Sequence, residues 1–261
     1  MLSLNHRETN IMKKTIISHF YNEEYLLPWW LEHHKKIFDH GIMINYHSTD
    51  ESVNIIKRIC PDWEIIDSRN ESFDAVKVDE EVMDIERKLD GWRIVLNVTE
   101  FLLGDFKVLN TIEEGKGDIL IPEIVMADTS QNEMKELNNT ESLFENRFHG
   151  VIPDTKVKFD IRSARRLGNY FYPYSPGRHF ANVNTTSFII LWYGFSPFNE
   201  KMLKRKLQIQ DNIPDSDKEV GFGYQHITDI EEQKRKLHIL QNDTEDISKI
   251  IKSFLKLSYE K

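Results

Sequence analysis

Short apolar runs alternate with amphipathic helical segments along the first half of this chain, and this alternation constrains the fold most strongly. A strand and a helix in regular alternation predict a parallel sheet that is covered by helices on both faces. The apolar runs also end in polar residues, as strands of an open α/β sheet do at a ligand-binding edge. The predicted strands are residues 15–20, 42–46, 63–66, 92–96 and 119–121, and the predicted helices are residues 28–38, 53–59 and 79–89.

The length of 261 residues fits one large α/β domain, and 39 % hydrophobic residues are enough for its core. A formal charge of −9 argues against a general nucleic-acid partner, which would normally need a basic face. The single cysteine, Cys60, cannot form an intrachain disulfide. No apolar run has the length of a membrane span, and the first residues lack the apolar core of a signal peptide, so we expect a cytoplasmic protein.

The second half of the chain is less regular. Residues 129–146 are rich in Asn, Glu and Ser and suggest a surface excursion, whereas the aromatic, Pro- and Gly-containing residues 170–180 suit a site-forming loop. A further strand is expected at 187–193, and the Lys/Glu-rich residues from 229 onward predict a pair of C-terminal helices. We therefore expect a loose extension at 1–11 and one domain at 12–261, divided into parts at 12–125, 126–228 and 229–261.

The most informative polar exit is Asn97-Val98-Thr99-Glu100, which follows the apolar run at 94–96. One interpretation is a ligand-binding tip at the end of a buried strand. The other is structural, because Asn97 and Glu100 have the spacing of a capping box and could begin a short helix. A similar box is predicted at Ser48 and Glu51, before the second helix.

Four segments in the same order resemble the family 2-like glycosyltransferases, which have the nucleotide-sugar-binding GT-A fold. The resemblance is best between residues 15 and 103, and the second half matches more faintly at 177–179, 204–206 and 221–226. The four segments are Asn22-Glu23-Glu24, Leu27-Pro28-Trp29-Trp30-Leu31-Glu32-His33-His34, Ser48-Thr49-Asp50-Glu51-Ser52 and Trp92-Arg93-Ile94-Val95-Leu96-Asn97-Val98-Thr99-Glu100-Phe101-Leu102.

This resemblance implies a GT-A-like open sheet, mostly parallel, with helices on both faces and a helical C-terminus. Asn22, Glu23 and Asp50 would bind the nucleoside of a nucleotide sugar, and Asn97 and Thr99 would lie at its diphosphate. The family's usual Asp-x-Asp corresponds here to Asn97-Val98-Thr99. Its usual acids at the second strand exit correspond to residues 45 and 46, an asparagine and a tyrosine.

A departing nucleotide diphosphate must be stabilised by a hard cation or by fixed donors. Glu100, aided by His179, is the predicted ligand of Mn²⁺ or Mg²⁺. The alternative is a site that works without a metal ion, because Asn97 and Thr99 add no charge. In that case Arg178 and Arg205 could grip the diphosphate.

The predicted catalytic residues are Glu100, His226 and Asp128, with Glu123 as a further candidate base. The sequence does not distinguish inversion from retention of the sugar's configuration.

The leading hypothesis is a glycosyltransferase that moves a sugar, with a UDP-sugar as the expected donor, to a glycan or glycoconjugate acceptor. The alternative is a non-catalytic nucleotide-sugar or glycan-binding module that keeps the fold. A hydrolase fits less well, because the sequence has no nucleophile elbow, P-loop or zinc motif. No nucleic-acid partner and no membrane span are expected, and the oligomeric state stays open.

Overall fold

The computed structural model describes residues 12–132, 135–152, 164–178, 180, 182–221 and 227–260. Its strands are β1 (Lys14–Phe20), β2 (His40–Asn45), β3 (Glu64–Asp67), β4 (Trp92–Val95), β5 (Glu100–Gly104), β6 (Asp118–Ile121), β7 (Glu123–Ala127), β8 (His149–Val151), β9 (Arg165–Gly168), β10 (Phe188–Phe195) and β11 (Glu245–Asp246). Its α-helices are α1 (Leu27–His34), α2 (Ser52–Ile59), α3 (Ala75–Glu86), α4 (Leu143–Asn146), α5 (Glu200–Leu207), α6 (Asp215–Val220), α7 (Ile230–Gln241) and α8 (Ser248–Tyr259).

The strands form two sheets. The first has the order β3-β2-β1-β4-β9-β6, and the second has the order β11-β8-β7-β10-β5. In the first sheet β3, β2, β1 and β4 are parallel, while β9 runs antiparallel to both of its neighbours. This arrangement confirms the predicted fold class, an α/β architecture with an open and mostly parallel sheet.

Alternating side chains of the first sheet fill two different cores, because successive residues of a strand face opposite sides. On β1, Ile16 packs into the large core that includes Trp30 of α1 and Ile56 of α2. The next residue, Ile17, packs into a smaller core that includes Val82 of α3. Helices therefore cover both faces, as predicted, and the carboxyl ends of the parallel strands are left to form a site.

Most predicted elements are present, with shifted ends. Helix α1 ends at His34 rather than at residue 38. Helix α3 begins four residues earlier than predicted, because the Asp74 side chain accepts hydrogen bonds from the backbone N–H groups of Val76 and Lys77. The predicted pair of C-terminal helices is confirmed by α7 and α8. Within the described ranges, no helix is both long enough and apolar enough to cross a membrane.

Neither of the two predicted capping boxes caps the start of a helix. Ser48 Oγ accepts a hydrogen bond from the backbone N–H of Asn22, and the residue before α2, Glu51, has no side-chain cap. Asn97 and Glu100 do form the bonds of such a box, but Glu100 is the first residue of strand β5. The predicted extension at 1–11 lies outside the described residues. The proposed division of the domain into three parts stays a prediction. Strand β9 belongs to the predicted middle part, residues 126–228, but it is inserted into the first sheet.

Candidate functional site

The carboxyl-end edge of the first sheet gathers the predicted site residues that follow β1, β2 and β4. These three strands are parallel neighbours, so their exits lie side by side. Pairing continues past the end of β4, where the backbone N–H of Leu96 donates to the carbonyl of Ile17 at 3.0 Å. The β4 exit, residues 96–99, therefore starts next to the end of β1.

The β1 and β2 exits are joined directly through Asn22. This residue has a left-handed backbone, with φ of 49°, and its Oδ1 accepts hydrogen bonds from the N–H groups of Thr49 at 2.8 Å and Asp50 at 3.3 Å. Asp50 in turn accepts from the N–H groups of Glu24 and Ser52, each at 3.0 Å. Asn22 and Asp50, both predicted to bind the nucleoside, are thus brought together, and both remain partly exposed.

Glu23 and Arg205 form a mostly buried, two-pronged ion pair. Arg205 Nη2 donates to Glu23 Oε1 at 2.6 Å, and Arg205 Nε donates to the other carboxylate oxygen. Burial raises the pKa of the Glu23 carboxyl, and the charge of Arg205 opposes that shift. Gln208 adds hydrogen bonds from Nε2 to the carbonyls of Tyr21 and Asn22. The sequence assigned Glu23 to the nucleoside and Arg205 to the diphosphate, but here they bind each other and hold α5 against the β1 exit.

The β4 tip is held by Glu100, whose side chain is completely buried. Its Oε2 accepts from the backbone N–H of Asn97 at 2.9 Å, and its Oε1 accepts from Asn97 Nδ2 at 2.8 Å. Arg165 Nη2 donates to the same Oε1 at 2.6 Å. Both carboxylate oxygens of Glu100 are therefore engaged by N–H donors.

Arg165 is a central residue that sequence reasoning missed. It starts β9 and is 2 % exposed, with Nε lying 3.0 Å from Glu123 Oε1. Burial alone would lower the pKa of its guanidinium, but Glu100 and Glu123 raise that pKa above its usual value. The only signal in the sequence is a pair of adjacent arginines, Arg165-Arg166, which is more typical of an exposed segment.

A second buried guanidinium, that of Arg178, also reaches the tip. Its Nη1 donates to Asp79 Oδ1 at 2.5 Å, and its Nη2 donates to Asn97 Oδ1 at 3.3 Å. The other oxygen of Asp79 accepts from the backbone N–H of Gly177 at 2.7 Å. Asp79 on α3 thus fixes both the turn and the guanidinium. Asn97 and Arg178, each predicted to lie at the diphosphate, are therefore in contact.

The remaining described candidates lie on the second sheet's side of the tip. Thr99 is buried, and its Oγ1 accepts from Trp192 Nε1 at 3.2 Å. Asp128 lies further along, at the end of β7, where it accepts from Ser196 Oγ at 2.5 Å and from the N–H of Phe198 at 2.8 Å.

Asp128 is also ion-paired, because Arg147 Nε lies 3.1 Å from its Oδ1. Burial raises the pKa of the Asp128 carboxyl, although its three donors act against that shift. Its role as a base stays a prediction. His179 and His226, the other predicted second-half residues, lie outside the described residues.

The tip does not fit a hard divalent cation. Such an ion needs several oxygen ligands with lone pairs directed at it, whereas Asn97 Oδ1, Thr99 Oγ1 and both oxygens of Glu100 face N–H donors. Across the described ranges, no group of three or more His, Cys, Asp and Glu side chains is placed to hold a metal ion.

No protein-family model and no curated protein sequence matches this chain. Among solved structures, S. aureus TarS residues 1–349 in complex with UDP-GlcNAc is 11 % identical over 73 % of this chain and 60 % of that one, with a TM-score of 0.36. In the TarS structure of longer extent, the match spans 23 % of that chain and 49 % of this one, with 10 % identity and a TM-score of 0.31.

HddC from Yersinia pseudotuberculosis is 10 % identical over 74 % of this chain and 98 % of its own, with a TM-score of 0.34. The inositol-1-phosphate CTP transferase from T. maritima is 7 % identical over 73 % of this chain and 76 % of its own, with a TM-score of 0.29. At TM-scores below 0.5, none of these similarities identifies a family or a substrate for this chain.

Proposed function

We propose that this protein is a glycosyltransferase that moves a sugar from a nucleotide-sugar donor, which we expect to be a UDP-sugar, to a glycan or glycoconjugate. The observation that carries the proposal is the meeting of the β1, β2 and β4 exits at one edge, with the guanidinium of Arg178 touching the β4 tip. Ligands of open α/β sheets bind at this edge. The four sequence segments that resemble family 2-like glycosyltransferases contribute all three exits.

In this proposal the linked β1 and β2 exits receive the nucleoside. Asn22 and Asp50 are partly exposed there, so their polar groups can reach a base or a ribose. Glu23 and Arg205 act indirectly, since their ion pair fixes the position of the β1 exit. The diphosphate lies against Asn97 and Arg178.

Glu100 has a positioning role in this proposal, because its carboxylate holds both the backbone and the side chain of Asn97. A direct catalytic role for Glu100, Asp128 or His226 stays a prediction from the sequence. Three donors already engage the Asp128 carboxylate, so an acceptor hydroxyl would have to share its oxygens with them or displace one of them.

The second candidate function is a non-catalytic module that binds a nucleotide sugar or a glycan. The neutral Asn97 and Thr99 favour it, because they stand where the resembling family has two acids. Such a module would keep the nucleotide edge and would lack turnover.

Titration calorimetry with UDP, UDP-glucose and UDP-GlcNAc, with and without Mn²⁺, tests the proposal. We expect at least one of these ligands to bind, followed by donor hydrolysis or transfer in an acceptor screen. Binding without either reaction would favour the module. If no nucleotide or nucleotide sugar in a broader panel binds under either condition, the glycosyltransferase and the nucleotide-sugar-binding module are both wrong, and only a glycan-binding module is left.

A further inference from the structure

We infer that the β4 tip binds a nucleotide diphosphate without a divalent cation, and that Arg178 supplies the positive charge that a cation would otherwise bring. This inference rests on the proposed function, because it concerns how that ligand's charge is met. It also departs from what the resemblance implies, since the Asp-x-Asp of that family is expected to hold a metal ion.

The oxygen atoms of the β4 tip already lie against positively charged donors. Asn97 Oδ1 lies 3.3 Å from Arg178 Nη2, and Glu100 Oε1 lies 2.6 Å from Arg165 Nη2. A divalent ion bound to either oxygen would sit within a few ångströms of a full positive charge. Because this repulsion is strong in a buried, poorly screened place, the ion would first have to displace the guanidinium.

The three arginines at this edge differ in how their guanidinium groups are occupied. The guanidinium of Arg205 is occupied by Glu23, and that of Arg165 lies between two carboxylates. Arg178 is ion-paired with Asp79, and its Nη2 makes only a long bond to a neutral amide. Its buried Nε has no hydrogen-bond partner among the described residues. Arg178 therefore retains N–H donors for phosphate oxygens, which a guanidinium can bind in pairs.

Arg178 is held in place by Asp79. Its backbone is left-handed, with φ of 56°, a conformation that costs a non-glycine residue on the order of 1 kcal/mol. Both oxygens of Asp79 enforce this turn, one through the N–H of Gly177 and one through the Arg178 side chain. Arg178 is thus positioned before any ligand arrives, so less conformational entropy is lost when a ligand binds.

The first test uses the unmodified protein. UDP binding is measured by calorimetry in EDTA and again with added Mn²⁺. We expect dissociation constants that agree within about twofold. Binding that requires Mn²⁺, or that tightens about tenfold with it, would overturn the inference and leave the proposed function intact. An absence of UDP and nucleotide-sugar binding in both buffers would overturn the proposed function itself, and this inference with it.

Variants then identify the residue. Arg178→Gln should weaken UDP binding in EDTA by at least about tenfold, and Arg178→Lys should weaken it less because the charge is kept. Arg87→Gln is the matched control, since Arg87 follows the opposite end of α3 from Asp79 and its side chain is 50 % exposed. Circular dichroism and melting temperature verify folding, because removing Arg178 leaves the Asp79 carboxylate unpaired.

Asn97→Asp keeps the pair of Arg178 and Asp79, but it replaces the Asn97 Nδ2 donor to Glu100 with an oxygen, so the same checks of folding apply. The new carboxylate would neutralise Arg178 from its other side. We expect UDP binding in EDTA to weaken about tenfold and to recover in part with Mn²⁺, which the added anionic oxygen can bind. Unchanged UDP affinity in EDTA for folded Arg178→Gln and for Asn97→Asp would refute the role of Arg178.

Discussion

His33 donates a hydrogen bond from Nε2 to the backbone carbonyl of Leu102 at 2.8 Å, and so ties helix α1 to strand β5. Because a carbonyl only accepts and burial keeps the ring neutral, the Nδ1 atom of His33 is the acceptor for the hydroxyl of Tyr259, 2.7 Å away. His34 accepts the N–H of the same Leu102 at its Nε2, at 3.2 Å. Since β5 is an edge strand of the second sheet, two neutral histidines satisfy backbone groups that an edge strand would otherwise leave unpaired.

This arrangement predicts a loss of stability in mild acid. Burial lowers the pKa of His33 to about 4, against the favourable bond to Leu102, and lowers that of His34 well below its usual value. Folding therefore favours the neutral rings. Their contribution is complete above the unfolded-state pKa of about 6.5 and is lost as pH falls from there toward 4. For His33 the full effect is about 3 kcal/mol.

Urea unfolding at a series of pH values between about 7.5 and 4.5 measures this effect. We expect the free energy of unfolding to decrease with falling pH, and we expect His33→Gln to flatten the dependence while lowering stability at neutral pH. His238→Gln, at an exposed position on α7, should keep the slope of the unmodified protein. An unchanged slope in His33→Gln would contradict the assignment.

The succession of the first four strands and their helices along the chain was predictable from the sequence, because apolar runs and helical periodicity are local signals. The same signals could not tell whether a helix or a strand comes after Asn97. A capping box and a strand entry place Asn97 and Glu100 at the same spacing, and only the pairing of β5 with β10 decides between them. Tertiary structure therefore overrides a local pattern at this position.

The site was predictable only in part, for a related reason. Polar strand exits indicate which residues meet at the edge, and the proximity of Asn22 and Asp50 was predictable in this way. The partners that occupy Glu23, Glu100 and Asn97 come from positions 65 to 182 residues further along the chain. Such charge pairing between distant segments leaves no periodic signal, so Arg165 was missed.

Glu100→Gln should destabilise the protein. The substitution removes the closest carboxylate from the buried guanidinium of Arg165, and breaking a buried ion pair by removing one partner costs about 3 kcal/mol. The free energy of unfolding in urea measures the loss. Glu231→Gln is the control, because the Glu231 side chain is 83 % exposed and pairs with Lys234 within one helix; it should change stability by less than about 0.5 kcal/mol.

The same variant separates a positioning role of Glu100 from a purely structural one. Since Glu100 holds Asn97 through two hydrogen bonds, the folded variant should bind UDP more weakly than the unmodified protein. Lower stability with unchanged UDP affinity would show that Glu100 only anchors the start of β5.

Glu23 and Arg205 should be strongly coupled. A double-mutant cycle with Glu23→Gln and Arg205→Met should give an interaction free energy of about 1–3 kcal/mol, because the pair is two-pronged and mostly buried. Hydrogen exchange of the backbone N–H of residue 22 reports on the β1 exit, and we expect each single variant to speed it. A coupling near zero would mean that Gln208 and Ser52 hold that exit without the ion pair.

Gly91→Ala should destabilise the protein more than Gly115→Ala does. Both glycines have left-handed φ values, 75° and 77°, so an alanine at either position carries a backbone cost of about 1 kcal/mol. They differ in their surroundings. A Cβ atom at Gly91 would lie 2.4 Å from the carbonyl oxygen of Lys13, whereas a Cβ atom at Gly115 would meet no described atom within 4 Å.

The clash at Gly91 cannot be relieved cheaply, because the Lys13 carbonyl also accepts the N–H of Trp92 at 2.8 Å, where β4 begins to pair with β1. We expect an additional loss of about 1–3 kcal/mol in Gly91→Ala, read from urea unfolding of the two variants side by side. Equal losses would show that the entry into β4 can shift without cost.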